Sequence, residues 1–159
     1  MNKLISVSEV FGFKIGNRPM IEGENGSQLG IVGMISYLSG CGISYDGYEI
    51  KTENATYRIL IENEQNCCES WGYFSSDDNF DDYLGKDLID VSLTDTALNQ
   101  QRLADSGWYD GNEGGIQFVD FKFSDGSVLQ FAVYNAHNGY YGHAIYVIKD
   151  DEIICSDTL

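Results

Sequence analysis

The sequence predicts an α+β fold: a predominantly antiparallel β-sheet with one or two short helices. Three observations predict it. Short apolar runs with period-two alternation recur along the chain, as in Tyr57 to Glu62, Ile116 to Phe123 and Val128 to Val133. Compact turn signals separate them, among them Glu53-Asn54-Ala55, Ser124-Asp125-Gly126-Ser127 and Asp150-Asp151. One stretch, residues 75–85, carries helix signals instead. Eighteen glycines and a single proline suit short strands and tight turns. With 159 residues, 43% of them hydrophobic, the chain has enough apolar material for one core, so a single domain spanning 1–159 is expected.

Taken in order, residues 4–15 are apolar without a clean period and read as a strand or short helix. Gly16 to Pro19 is a turn. Residues 20–46 are glycine-rich, with a short strand or helix between Leu29 and Leu38; their glycines follow neither the dinucleotide pattern nor a phosphate loop. Tyr48 to Lys51 and Tyr57 to Glu62 form a hairpin. Cys67 and Cys68 fall just past its second strand, on irregular backbone. Ser75 or Ser76 can cap a helix, and the aspartates after them favour its positive end. Phe80, Tyr83 and Leu84 lie at helical spacing, and Gly85 can supply a left-handed stop. Lys86 to Leu93 alternates as a strand. Residues 95–115 form a long polar loop with a helical turn near Asn99 to Leu103. Ile116 to Phe123 and Val128 to Tyr134 make a hairpin. Val128 to Val133 and Ala144 to Ile148 read as antiparallel strands joined through residues 134–143, and His143 to Ile148 with Ile153 to Cys155 closes the chain as a last hairpin.

The candidate chemistry lies in the joining stretch, which holds both histidines, His137 and His143, with five residues between them. If that stretch joins two paired strands, the imidazoles sit near opposite ends of one loop, where cross-strand Cβ atoms are about 5 Å apart. Zinc takes thiolate and imidazole in tetrahedral sets, so Cys67, Cys68, His137 and His143 are the expected ligands of a structural zinc. Adjacent cysteines on extended backbone point opposite ways, so one of them can ligate while Glu69 or another acid completes the set. Other metal chemistries lack their patterns: there is no His-x-Glu with Cys-x-x-Cys for a deaminase and no His-Glu-x-x-His for a metalloprotease. A Cys–His nucleophile pair needs only spatial proximity and stays open as a zinc or cysteine hydrolase.

The net charge is −16, and it is uneven: residues 1–61 carry −1, whereas residues 62–159 carry four basic residues against nineteen acids, or −15. A field of that sign opposes direct nucleic-acid binding, which needs phosphate neutralisation, and opposes an anionic membrane surface. It favours and accelerates encounter with a basic protein. The start of the chain lacks an apolar signal core and no run approaches a membrane span, so a cytoplasmic setting with reduced thiols is expected. The expected contact surface is the acidic stretch Asp77, Asp78, Asp81 and Asp82 together with Asp105, Trp108, Tyr109, Asp110 and Glu113, where aromatics among acids can anchor a charged interface.

Asn66-Cys67-Cys68-Glu69 with Gly72-Tyr73-Phe74, then Leu88-Ile89-Asp90, then Tyr134-Asn135-Ala136-His137-Asn138-Gly139-Tyr140-Tyr141-Gly142-His143, resemble a family of small proteins of phages and prophages of Gram-positive bacteria. The resemblance covers roughly residues 57–148. Size, acidity and the zinc expectation are similar to a metal-containing anti-CRISPR protein of the type II class. That resemblance implies a non-enzymatic phage inhibitor that binds the host's type II CRISPR effector nuclease and blocks target-DNA loading. Such effectors hold nucleic acid in positively charged channels, which agrees with the charge. The alternatives are an anti-defence protein that sequesters a signalling nucleotide and the hydrolase above.

Overall fold

The computed structural model describes residues 1–15 and 43–159. The turn expected at Gly16 to Pro19 and the element expected between Leu29 and Leu38 lie outside the described residues. Nine strands follow in chain order: β1 (Leu4–Phe13), β2 (Tyr45–Thr52), β3 (Thr56–Glu62), β4 (Ser70–Ser75), β5 (Leu88–Thr94), β6 (Gly115–Phe123), β7 (Val128–Ala136), β8 (Ala144–Lys149) and β9 (Glu152–Thr158). They form a five-stranded sheet of order β1-β2-β3-β8-β9 and a four-stranded sheet of order β4-β7-β6-β5. Every pairing is antiparallel.

The helical elements described are a 3-10 turn, Phe80–Tyr83, and α1, Gln100–Asp105; among the described residues no helix reaches seven residues. The fold is thus nearly all-β, and the expected α+β class is corrected. The expected two-turn helix fails because its serines are spent elsewhere. Ser75 Oγ donates to Asp77 O at 2.8 Å, and Ser76 Oγ accepts from the Gln130 amide at 3.0 Å. The backbone then closes only short i→i−3 bonds, Asp82 N to Asn79 O and Leu84 N to Asp81 O, both 3.3 Å. Asp77 also bonds the Asn79 amide at 3.0 Å, the local side-chain competition that makes aspartate a poor helix former. Gly85 does take the left-handed φ of 78° that stops the turn. In the long loop, the expected helical turn is α1, capped by Asn99 Oδ1 accepting from Arg102 N at 3.2 Å.

A second correction concerns topology. β7 and β8 are not a hairpin: β7 pairs with β4 and β6, whereas β8 pairs with β3 and β9. Residues 137–143 cross from one sheet to the other. The period-two pattern of both strands is real, but alternation states which face is buried and not which strand lies alongside.

The alternation builds the core. Tyr48, Ile50, Tyr57, Ile59, Ile61, Ile145 and Val147 from one sheet meet Val119, Phe121, Phe123, Leu129, Phe131 and Val133 from the other. Tyr57 meets Phe121 edge-on across the two sheets at 5.3 Å, and Phe121 meets Phe131 edge-on within its own sheet at 5.4 Å. The opposite face of the four-stranded sheet has its own cover. Ala97 and Leu103 pack on Phe74, Ile116, Phe118 and Ala132, so the segment leading through α1 is an outer layer.

Candidate functional site

β4 begins at Ser70, and the strand's period places Glu69, Trp71 and Tyr73 on one face. Trp71 and Tyr73 pack on the inter-sheet core, which draws Glu69 inward with them. His143, one residue before β8, meets it there. Both side chains are fully buried, with Nε2 of His143 3.1 Å from Oε1 of Glu69. The other ring nitrogen, Nδ1, lies 2.6 Å from the Glu62 carbonyl oxygen at the end of β3. Trp71 stacks on the imidazole, with centroids 5.5 Å apart and planes 26° from parallel.

A carbonyl oxygen only accepts, so Nδ1 carries a proton. Burial pushes the Glu69 carboxyl up. Hydrogen bonds from the Asn66 and Glu69 amides, from His143 and from the Cys67 amide outweigh it and hold the carboxyl down at about 2. The carboxylate is therefore ionised at neutral pH, and it faces Nε2 at hydrogen-bond distance. In this arrangement His143 spends both ring nitrogens on protein oxygens.

Glu69 also shapes the loop before it. Its two oxygens accept from Asn66 N at 2.6 Å and Cys67 N at 2.9 Å. Gln65 clamps the same loop, donating to the Cys67 and Glu69 carbonyls and accepting from Trp71 Nε1 at 2.9 Å. The result is a turn held from beneath, with Cys67 and Cys68 exposed on top as free thiols. The hydroxyl of Tyr141, on the crossing segment, and the thiol of Cys68 both hydrogen-bond to Cys67, and that contact is the chief reason each is pushed up. Asn135, fully buried on β7, fixes the crossing segment by donating to the Tyr141 carbonyl at 2.7 Å and the Leu159 carbonyl at 2.9 Å.

His137 lies just past the end of β7 on the four-stranded sheet, where its Nδ1 accepts from Gly139 N at 2.8 Å. The ladder pairs Ser70 with Ala136, so the cysteine turn and His137 follow at the same end of that sheet. Among the described residues, no three Cys, His, Asp or Glu side chains gather as a metal cluster. The sequence reading weighed Glu69 only as a spare ligand. The signal for its burial is its i, i+2 spacing from Trp71 and Tyr73.

The nine residues expected at a partner surface lie on two linked segments. Arg102 of α1 makes an ion pair with Asp78, and Asn99 Nδ2 donates to Ser76 O at 3.0 Å, which ties the acidic turn to the outer layer. That layer then follows β7: Leu98 N is held by Gln130 at 2.8 Å, the Ser106 carbonyl accepts from the Tyr134 hydroxyl, and Glu113 N bonds His137 O at 2.9 Å. Gly114 permits the last approach, since a Cβ there would sit 1.8 Å from the Asn135 carbonyl oxygen. Asp78, Asp81, Asp82, Asp105, Tyr109, Asp110 and Glu113 are exposed, whereas Asp77 and Trp108 are half-buried. Asp77 is structural as well, taking the Tyr83 hydroxyl at 3.1 Å. From Ser75 to Gly115 there are ten acids against two bases. Further exposed acids, Asp150, Asp151, Glu152 and Asp157, sit on the β8–β9 hairpin, so the negative field extends to the other sheet too.

The family model for a domain of unknown function, DUF7448, matches residues 11–147. The chain belongs to the DUF7448 family. The match begins at residue 11, so the DUF7448 unit includes most of the first fifty residues, which the sequence resemblance left out. It contains the cysteine turn, the buried pair and the acidic layer together. No curated protein and no solved structure matches the chain. Among the described residues, no helix of the DUF7448 protein is long and apolar enough to cross a membrane.

Proposed function

We propose that this DUF7448 protein is a non-enzymatic inhibitor that covers a cationic, nucleic-acid-binding surface of another protein. The target implied by the resemblance is a type II CRISPR effector nuclease. The observation that carries the reading is the acidic outer layer: Asp81, Asp82, Asp105, Asp110 and Glu113 are exposed carboxylates, mounted through α1 and the Tyr134–Ser106 contact on the four-stranded sheet. A preorganised charge array loses little entropy on docking and steers encounter. Among the described residues, Asp81, Asp82, Asp110 and Glu113 make no side-chain ion pair, so their charge is open to a partner. Sequestration of an anionic nucleotide has less support. An open groove of about 420 Å³ between β5 and the β8–β9 hairpin offers Lys149 as the single cation among its described lining residues, and that amine already lies over the Tyr57 ring.

The test is capture of guide-loaded effector by immobilised protein. Neutralising the layer with Asp81→Asn, Asp82→Asn, Asp105→Asn, Asp110→Asn and Glu113→Gln together is expected to weaken capture at least about tenfold. Neutralising Asp151, Glu152 and Asp157 on the hairpin is expected to weaken it far less. Equal loss from both sets would show that bulk charge, not this layer, is the contact, and absence of capture by the unmodified protein would remove the proposal.

A further inference from the structure

Two exposed thiols on a turn braced from below are an arrangement with its own chemistry, separate from the acidic layer. The bracing is unusually complete for a surface loop. A fully buried carboxylate takes two of the loop's amides, a fully buried imidazole fixes that carboxylate, and Gln65 holds two of the loop's carbonyls while itself held by Trp71. The cysteines are the part left to solvent. The Cys68 and Tyr141 side chains lie beside Cys67, which is the first cause that pushes each of them up. Cys155, by contrast, is half-buried on β9 and its thiol is pushed up first by burial, which makes it a poor competitor.

We propose that Cys67 and Cys68 form a thiol–disulfide exchange site whose substrate is a low-molecular-weight disulfide. In the first step the Cys67 proton goes to solvent and the thiolate attacks one sulfur of the disulfide. The reagent's S–S bond breaks, one thiolate leaves and is protonated, and Cys67 carries the other half as a mixed disulfide. In the second step Cys68 loses its proton to solvent and attacks the Cys67 sulfur. The second thiol leaves, and a Cys67–Cys68 disulfide remains. Two electrons pass from the cysteine pair to the reagent, which ends as two thiols. Adjacent Cα atoms lie about 3.8 Å apart, below the usual disulfide span. The product is therefore strained, and strained exposed disulfides are the readily reduced ones. Closing it also turns the peptide whose carbonyl Gln65 holds, so oxidation loosens that clamp on the turn.

The test treats the full chain with oxidised glutathione at neutral pH and reads intact mass and the mapped peptide. The unmodified protein is expected to become lighter by two hydrogens on the peptide containing Cys67 and Cys68, with no glutathione retained, and dithiothreitol restores it. Cys68→Ser is expected to retain one glutathione, on Cys67. Three results would overturn the proposal: stable glutathionylation of the unmodified protein to the extent seen in Cys68→Ser, loss of hydrogens mapping to a pair that includes Cys155, or no reaction under conditions that modify a single-cysteine control peptide.

Discussion

Replacing Glu69 by alanine removes the acceptor that Asn66 N, Cys67 N and His143 Nε2 share at 2.6, 2.9 and 3.1 Å. The two amides belong to an exposed turn, and water can replace their partner. The imidazole cannot recover in that way, because its side chain is fully buried between Trp71 and Glu62. Removing the ionised partner of a buried group costs about 3–5 kcal/mol. With the amides rehydrated, the lower end applies, about 3 kcal/mol, which for a chain of this size lowers Tm by roughly 6–12 °C. Thermal and urea melts followed by circular dichroism at neutral pH measure it, and Glu69→Gln, which keeps an acceptor oxygen for the amides, is expected to lose less than Glu69→Ala. If Glu69→Ala melts within about 1 kcal/mol of the parent, the pair is not what holds this end of the sandwich and the reasoning fails.

The same carboxylate sets an acid limb. Its folded value of about 2 lies below its ordinary 4.5, so its contribution is complete above 4.5 and is lost as pH falls from there towards 2; unfolding free energy of the parent should drop across that window more steeply than that of Glu69→Gln. Phe131→Ala, which empties a fully buried site against Tyr48 and Phe121, is expected to cost about 3–5 kcal/mol by urea denaturation. Gly114→Ala drives a methyl into the Asn135 carbonyl and should cost about 2 kcal/mol while opening residues 106–114 to limited proteolysis. Asp77→Asn keeps one acceptor oxygen but weakens the bonds to Asn79 N and the Tyr83 hydroxyl, so a loss of about 1 kcal/mol is expected, whereas Asp81→Asn and Asp82→Asn leave the melt unchanged.

Strand by strand, much of the sheet structure was legible, because period-two alternation reports burial directly. β3, β6 and the turn at Asp125-Gly126 stand where the pattern puts them. Sheet membership was not legible. Nothing in Val128 to Val133 or Ala144 to Ile148 tells that the chain between them crosses to the other sheet, and the expectation of paired imidazoles rested on that step. The helix expected after Ser75 failed for a related reason: a cap is decided by who else claims the hydroxyl, and Gln130, more than fifty residues away, claims Ser76. Glu69 was visible as a residue but not as a buried one, since charge ordinarily marks exposure. Its spacing from Trp71 and Tyr73 was the counter-signal.

The most direct measurement of the proposed docking is the salt dependence of competition. Labelled target DNA bound to guide-loaded effector is titrated with the protein from low to physiological ionic strength and followed by anisotropy. The account predicts displacement of the DNA, with apparent affinity of the protein for the effector falling steeply as salt rises and the slope reduced when the acidic layer is neutralised. DNA that stays bound at saturating protein, or displacement indifferent to salt, would contradict it.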